Sequence, residues 1–149
     1  MENTFKIPQL LLRFALGITF LTPVLDRLGI LGEPGIGNIE WGNWENFIKY
    51  TTTLMPIFDR PMVNIMGMVA TISEMTVGVC LILGLKTKYS ALGAALITFT
   101  FIVFMTISLG IQKPINYGVF TASAASLLLS FVPKYSWSLD NLLNKKKEN

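Results

Sequence analysis

From Tyr89 to Gln112, and again from Pro114 to Pro133, the chain carries no Asp, Glu, Lys or Arg. Each run is about 20 residues or more, the length at which an α-helix rising about 1.5 Å per residue crosses the hydrocarbon core of a bilayer. Runs of this kind leave a soluble fold little room. The rest of the chain does not dilute them: 14% of its residues are charged, where a soluble domain has about 25%, and the mean hydropathy is +0.54.

Two further spans are interrupted by charge. Residues 61–85 are long enough to cross but hold Glu74 near their centre; residues 8–30 form a first span whose strictly uncharged part, Phe14 to Leu25, is bracketed by Arg13 and Asp26. Long charged side chains at such ends can snorkel to the interface. As a cleaved signal peptide this segment would have an apolar core broken by Arg13 and no small-x-small site after it, so an uncleaved first helix is expected. With further spans at 89–110 and 114–132, the expectation is an all-α polytopic membrane protein. It is read as one domain over 1–149, a four-transmembrane-helix bundle with an outer loop at 31–60. In that loop Trp44, Phe47, Ile48, Thr51, Met55 and Phe58 recur at helical spacing opposite Glu45, Asn46, Lys49 and Thr53, which predicts a short amphipathic helix on the outer surface. Pro23 is expected to kink the first helix, and Asp59-Arg60-Pro61 to start the second. The short turn at 110–114 makes the third and fourth spans antiparallel neighbours.

Placing both termini in the cytoplasm puts Lys6, Arg13, Lys86, Lys88, Lys134, Lys145, Lys146 and Lys147 inside, eight of the 12 basic residues. Arg27, Lys49, Arg60 and Lys113 fall outside, the bias that the positive-inside rule requires. Trp41, Trp44, Tyr50 and Tyr117 then lie near the outer interface, and Tyr89, Tyr135 and Trp137 near the inner one. The net charge of +3 therefore points to anionic membrane lipids as partners and not to nucleic acid. With no histidine and one cysteine, Cys80, these residues exclude His-ligated haem, His-based zinc sites, a Ser-His-Asp triad and an internal disulfide. No metal ligands are assigned.

The residue that asks for an explanation is Glu74. Asn64, Gly67, Thr71, Glu74 and Gly78 recur three, four, three and four apart on one stripe of the second span, with Val63, Met66, Ala70, Val77 and Leu81 on the other. Small residues permit close helix approach and polar ones need partners away from lipid, so the first stripe should face the bundle. A carboxylate at that depth costs about 2.5–3.5 kcal/mol unless paired or protonated, and Arg13, in the inner half of the first span, is the expected partner. Such a pair either fixes helix register or handles protons and a polar headgroup. Asp26 and Arg27 read as an interfacial anchor. Asn116, Ser123 and Ser130 recur every seven residues on the fourth span, where interhelical hydrogen bonds are expected. The catalytic candidates are Glu74 and Arg13; the ligand-binding candidates are these two with Asn64, Thr71 and Asn116.

Three stretches carry a family resemblance. Leu11-Leu12-Arg13-Phe14-Ala15-Leu16-Gly17-Ile18-Thr19-Phe20-Leu21 resembles the opening helix of the DoxX/DoxD-like family of small four-helix bacterial membrane proteins. Glu74 with Gly78-Val79-Cys80-Leu81-Ile82-Leu83-Gly84-Leu85-Lys86-Thr87-Lys88 resembles its second helix, an acid followed by an apolar run, Gly-Leu and a basic turn. Tyr135-Ser136-Trp137-Ser138-Leu139-Asp140 is similar to its Tyr-Ser-Leu-Asp-type ending, with an insertion, and the long loop leading to Leu54-Met55-Pro56 is closer to the DoxD-like branch. The resemblance implies a multi-pass protein of the bacterial or archaeal cytoplasmic membrane. In some members this is the membrane subunit of thiosulfate:quinone oxidoreductase, in others a partner of redox-stress proteins. It carries over to Arg13 and Glu74 as recurrent intramembrane charges and to Arg27 near a basic position closing the first helix; Asp26 and Pro23 depart from the small-residue pattern there.

Two functions of different class follow as expectations. The first is a membrane subunit of a quinone-linked redox system, with a quinone as cofactor and a soluble or membrane redox partner supplying the electrons, since no flavin, haem or iron–sulfur motif is present. The second is a non-catalytic scaffold, or a small-molecule or lipid-binding protein, in which the charged pair is structural. A proton-coupled transporter is weaker, because four short-looped helices offer little room for alternating access unless the protein forms a homo-oligomer. Ala91, Gly93, Ala94 and Ala95 suit either such a contact or packing within the chain.

Overall fold

The structure, a computed structural model, describes residues 5–147. Residues 1–4 and 148–149, which include the two termini that the charge pattern places in the cytoplasm, lie outside the described residues. Seven helices and no strands occur among the described residues: α1 (Lys6–Arg27), α2 (Trp44–Leu54), α3 (Arg60–Leu83), α4 (Thr87–Leu109), α5 (Gln112–Asn116), α6 (Val119–Ser130) and α7 (Leu139–Lys147). Of these, α1, α3 and α4 are long and apolar enough to cross a membrane.

The boundaries have local causes. Asp59 accepts a hydrogen bond from the Met62 amide at 3.2 Å and Pro61 follows in the first turn, so α3 starts with a side-chain cap and a residue that has no amide to satisfy. Gly84 closes α3 at φ +67°, a left-handed cap that glycine adopts without strain. Asn43 caps α2 through the Asn46 amide at 2.9 Å.

The fourth expected span departs from a single helix. Residues 112–130 are divided into α5 and α6 by Tyr117 and Gly118, and Gly118 takes φ +65°. With 12 residues, α6 alone reaches about 18 Å, short of the about 30 Å of a hydrocarbon core. The break also ends the seven-residue register proposed for this segment. Ser123 does donate to the Ala95 carbonyl across to α4, at 3.4 Å, but Ser130 turns back to Leu127 of its own helix, and Asn116 is exposed on α5.

Packing follows the small residues. On α1 and α3, Gly17 and Gly78 meet so closely that a Cβ on Gly17 would lie 3.0 Å from the Gly78 carbonyl oxygen, and one on Gly78 would lie 3.1 Å from that of Gly17. Nearer the start of α3, Gly67 seats α2: a Cβ there would come within 2.9 Å of Ile48 and 3.1 Å of Phe47. Leu16, Phe20, Val77, Leu81, Ala91, Ala94 and Leu129 form the main core between α1, α3, α4 and α6. Burial of Ala91 and Ala94 accounts for these small residues of α4 by packing within the chain.

The stripe on α3 is wider than its small and polar members. Gly67, Thr71, Glu74 and Gly78 are buried, as expected, yet Val63, Val77 and Leu81 of the second stripe are buried too. Adjacent residues on a helix are only about 100° apart, so two neighbouring rows share the packed face. The exposed row is Ile65, Met68, Val69, Ile72, Met75 and Val79.

Candidate functional site

Glu74 points into the bundle, but its partner is Arg27. Arg27 Nη2 lies 2.6 Å from Glu74 Oε2, with both side chains almost wholly buried. Arg27 Nη1 donates to Thr71 Oγ1 at 2.9 Å, and Nε donates to the Pro23 carbonyl one turn back on its own helix. The expected pairing with Arg13 is overturned, and the cause is side-chain direction. On a helix the Cα–Cβ bond leans toward the N-terminus. Because α1 and α3 run antiparallel, Arg27 leans back into the bundle while Glu74 leans toward it, and Arg13 leans away toward the start of α1.

At that end Arg13 has different work. It is 1% exposed, and its guanidinium donates to the carbonyls of Leu81 at 3.0 Å, Ile82 at 3.0 Å, Ser136 at 3.2 Å and Trp137 at 3.3 Å. The first two are carbonyls at the end of α3, which a helix leaves without intrahelical partners. Arg13 thus satisfies that end and ties the segment before α7 to it. Gln9 assists by donating to Ser136 at 2.9 Å.

Around Arg27 and Glu74 lies a cavity of about 400 Å³, bounded by α1, α2, α3, α4 and α6. Its wall is mostly apolar and aromatic, with Phe20, Trp41, Phe47, Tyr50, Phe101, Phe104 and Tyr117. Phe47 stacks under the Arg27 guanidinium at 4.2 Å and Trp41 approaches it at 5.4 Å, both to the ring centroid. The electron-rich faces of these rings attract the guanidinium electrostatically. Pro23 cannot donate to the carbonyl of Thr19 four residues back, and both residues border the cavity.

The roof is α2, with Phe47, Tyr50, Thr51 and Leu54 turned to the cavity. Its entry is pinned by Asp26, a buried carboxylate that accepts the amides of Glu40 at 3.0 Å, Trp41 at 3.2 Å and Gly42 at 2.7 Å. Tyr117 closes the rim by donating to Glu40 Oε1 at 3.0 Å. On the roof helix, burial pushes the Tyr50 phenol above the ordinary tyrosine range and the nearby Glu40 carboxylate adds to the shift.

Among the sequence candidates, the structure brings Glu74 to the cavity and Thr71 to the Arg27 guanidinium that borders it. Asn64 is used otherwise: its Oδ1 accepts from the Trp44 indole at 2.8 Å and holds α2 on α3. Arg13 and Asn116 do not border the cavity. Glu74 presents Oε2 to Arg27, and among the described residues no hydrogen bond reaches Oε1. The aromatic wall is not among the sequence candidates: Trp41, Tyr50 and Tyr117 carry an interfacial signal in the sequence and Phe47 an amphipathic one, and neither pattern shows that the four rings converge on Arg27 and Glu74.

Compared with known families, the chain matches the family model described as DoxX over residues 9–107, about two-thirds of its length and spanning all of α2 and α3 with most of α1 and α4. The match contains Arg13, Asp26, Arg27 and Glu74. Neither a curated protein nor a solved structure matches.

Proposed function

Since the chain belongs to the DoxX family of membrane proteins, we propose that it is the membrane subunit of a quinone-linked redox system and binds the quinone ring in the cavity beside Glu74. The observation that carries this reading is a mostly apolar cavity of about 400 Å³, rich in aromatic rings, with Glu74 in its wall, one carboxylate oxygen held by Arg27 and the other without a partner among the described residues. Small-molecule sites have this make-up, with volumes of about 300–1,000 Å³, apolar walls and a few fixed polar groups.

A bound quinone would supply reversible two-electron, two-proton chemistry. The residues of this chain orient the ring and handle the proton. Glu74 Oε1 offers a hydrogen-bond and proton-holding atom, Arg27 fixes the carboxylate, and the rings of Phe47, Phe101 and Phe104 exclude water. Charge disfavours the alternative occupant, an oxyanion such as thiosulfate. The cavity wall carries Asp26, Glu40 and Glu74 against Arg27 alone, and an anion is repelled by that excess of acid. Electrons come from a partner subunit.

In this reading the protein sits in the bacterial or archaeal cytoplasmic membrane with its Arg13 end inside. Together α5 and α6 make a broken fourth span, interrupted at Tyr117 and Gly118. The apolar face of α2 covers the cavity from outside. The non-catalytic reading is favoured by the contacts of Arg27 with Thr71 and Glu74, which suffice to fix the register of α1 on α3.

Quenching of Trp fluorescence by a short-chain quinone tests the proposal, because Trp41 borders the cavity. Saturable quenching is expected in wild type, weakened about tenfold or more by Glu74→Gln, in line with loss of a hydrogen bond to a charged group, and abolished by Ala70→Phe, which fills the cavity. Equal affinity in wild type and in a folded Ala70→Phe variant would overturn it.

A further inference from the structure

The cavity beside Glu74 has two exposed borders of opposite character. At its outer end stand Asn38 and Glu40, both polar, and the bond from Tyr117 to Glu40 ties that rim together. The other border lies lower, on α1. Thr19 and Thr22 line the cavity and are also exposed on the surface of the bundle, so the cavity reaches that surface beside them.

Their side of α1 is not the one packed on α3. Gly17 meets α3, and at about 100° per residue Thr19 and Thr22 stand about 140–160° around the helix from it. Val119 and Ala122 of α6 line the same cavity and are partly exposed. Deeper in the bundle this seam closes, where Leu16 of α1 and Leu129 of α6 share the packed core.

Depth and chemistry define what such an opening takes. Thr19 and Thr22 fall within the uncharged run from Phe14 to Leu25, which a spanning α1 holds inside the hydrocarbon core. Both hydroxyl protons are spent on the helix itself: Thr19 donates to the Ala15 carbonyl at 2.8 Å and Thr22 to that of Ile18 at 2.9 Å. With valine and alanine on α6, the opening is apolar and suits a hydrocarbon chain. Arg27 lies about 8–12 Å from the two threonines along the helix axis, so a ring held beside Glu74 has the root of its chain within reach of them.

We infer that the cavity opens sideways into the lipid between α1 and α6, past Thr19 and Thr22, and that its ligand carries a long alkyl or isoprenoid chain which occupies this opening. The inference rests on the quinone reading and narrows it to membrane-dissolved quinones that enter from the bilayer, the acidic outer rim being left to water and protons.

The test is saturable quenching of Trp fluorescence, in one detergent, by two quinones with the same dimethoxy-methyl ring, one bare and one with a decyl chain. The readout is the ratio of their affinities, in which partition of the chain into detergent is common to every variant and cancels. Thr19→Phe/Thr22→Phe should lower the preference for the decyl quinone about tenfold or more, the cost of forcing a chain past an overpacked seam. Thr76→Phe/Thr100→Phe, which alters two exposed threonines that do not border the cavity, should keep the wild-type ratio. An unchanged ratio in the first variant with both quinones bound, or an equal fall in the second, overturns the opening alone. Saturation by neither quinone in wild type overturns the quinone reading and the opening with it. Circular dichroism establishes that each variant is folded, and the single Thr22→Phe carries the same test where the first pair does not fold.

Discussion

Replacing Arg27 by Met should strand Glu74, and a double-mutant cycle reads the size of that effect. The pair is 2.6 Å apart and almost wholly buried. Removing one partner of a buried pair costs about 3–5 kcal/mol, because the other charge is left uncompensated. Glu74→Gln costs a similar amount by stranding Arg27. In Arg27→Met/Glu74→Gln no charge remains, so the double variant should be about 3 kcal/mol more stable than the sum of the singles. Arg13 gives the contrasting cycle. Arg13→Met is itself severe, since four carbonyls lose a charged donor. Its guanidinium, however, lies at the other end of α1, 14 residues and about 21 Å away along the helix axis from Arg27. Arg13→Met/Glu74→Gln should therefore be additive within about 0.5 kcal/mol. Unfolding in mixed micelles, followed by far-ultraviolet circular dichroism, measures all five variants against wild type. A coupling below about 1 kcal/mol for Arg27 with Glu74, or an equal coupling for Arg13 with Glu74, would refute the assignment of the pair.

Other outcomes follow from single contacts. Gly78→Val should destabilise the protein by about 1–3 kcal/mol or more, the cost of overpacking, because its side chain meets Leu21 and the Gly17 carbonyl; lowered thermal stability checks this. Asp140→Asn weakens the cap on the start of α4 and should cost about 1 kcal/mol in the same unfolding assay. Arg60→Ala, which removes an exposed pair with Glu45, should cost less than about 1 kcal/mol. For alkaline pH, Tyr50 and Tyr135 are both raised, chiefly by burial and then by Glu40 and Asp140 respectively. The unfolded chain loses these protons first, so the stability they contribute is fully present below about pH 10 and is lost as pH rises through the folded-state values; Tyr50→Phe should flatten that decline in an unfolding series from neutral pH upward.

The apolar periods of α1, α3 and α4 were legible because lipid-length runs admit few alternatives. The inward face of Glu74 was legible too, since Gly67, Thr71 and Gly78 mark it at helical spacing. Its partner was not. Sequence distance puts Arg13 at a plausible depth, but the direction in which each side chain leaves its helix reverses the choice and selects Arg27. The split of the last apolar segment was carried by Gly118 alone, and one glycine in an uncharged run is too common in membrane helices to announce a break. Nor could spacing show that Asp26 turns away from its neighbour Arg27 to gather three amides of a loop. That depends on a chain reversal through five positive-φ glycines between Gly29 and Gly42.

That gathering has a consequence for the loop itself. Asp26 holds Glu40, Trp41 and Gly42 at the foot of the excursion that begins after α1, so the roof helix takes its position from the foot and not from the path between. Residues 30–38 are exposed throughout. The excursion is an arch on fixed abutments: outside its positive-φ glycines its exposed side chains can be exchanged, while Asp26 at the foot, the Trp44–Asn64 bond and the Gly67 seat together hold α2 over α3.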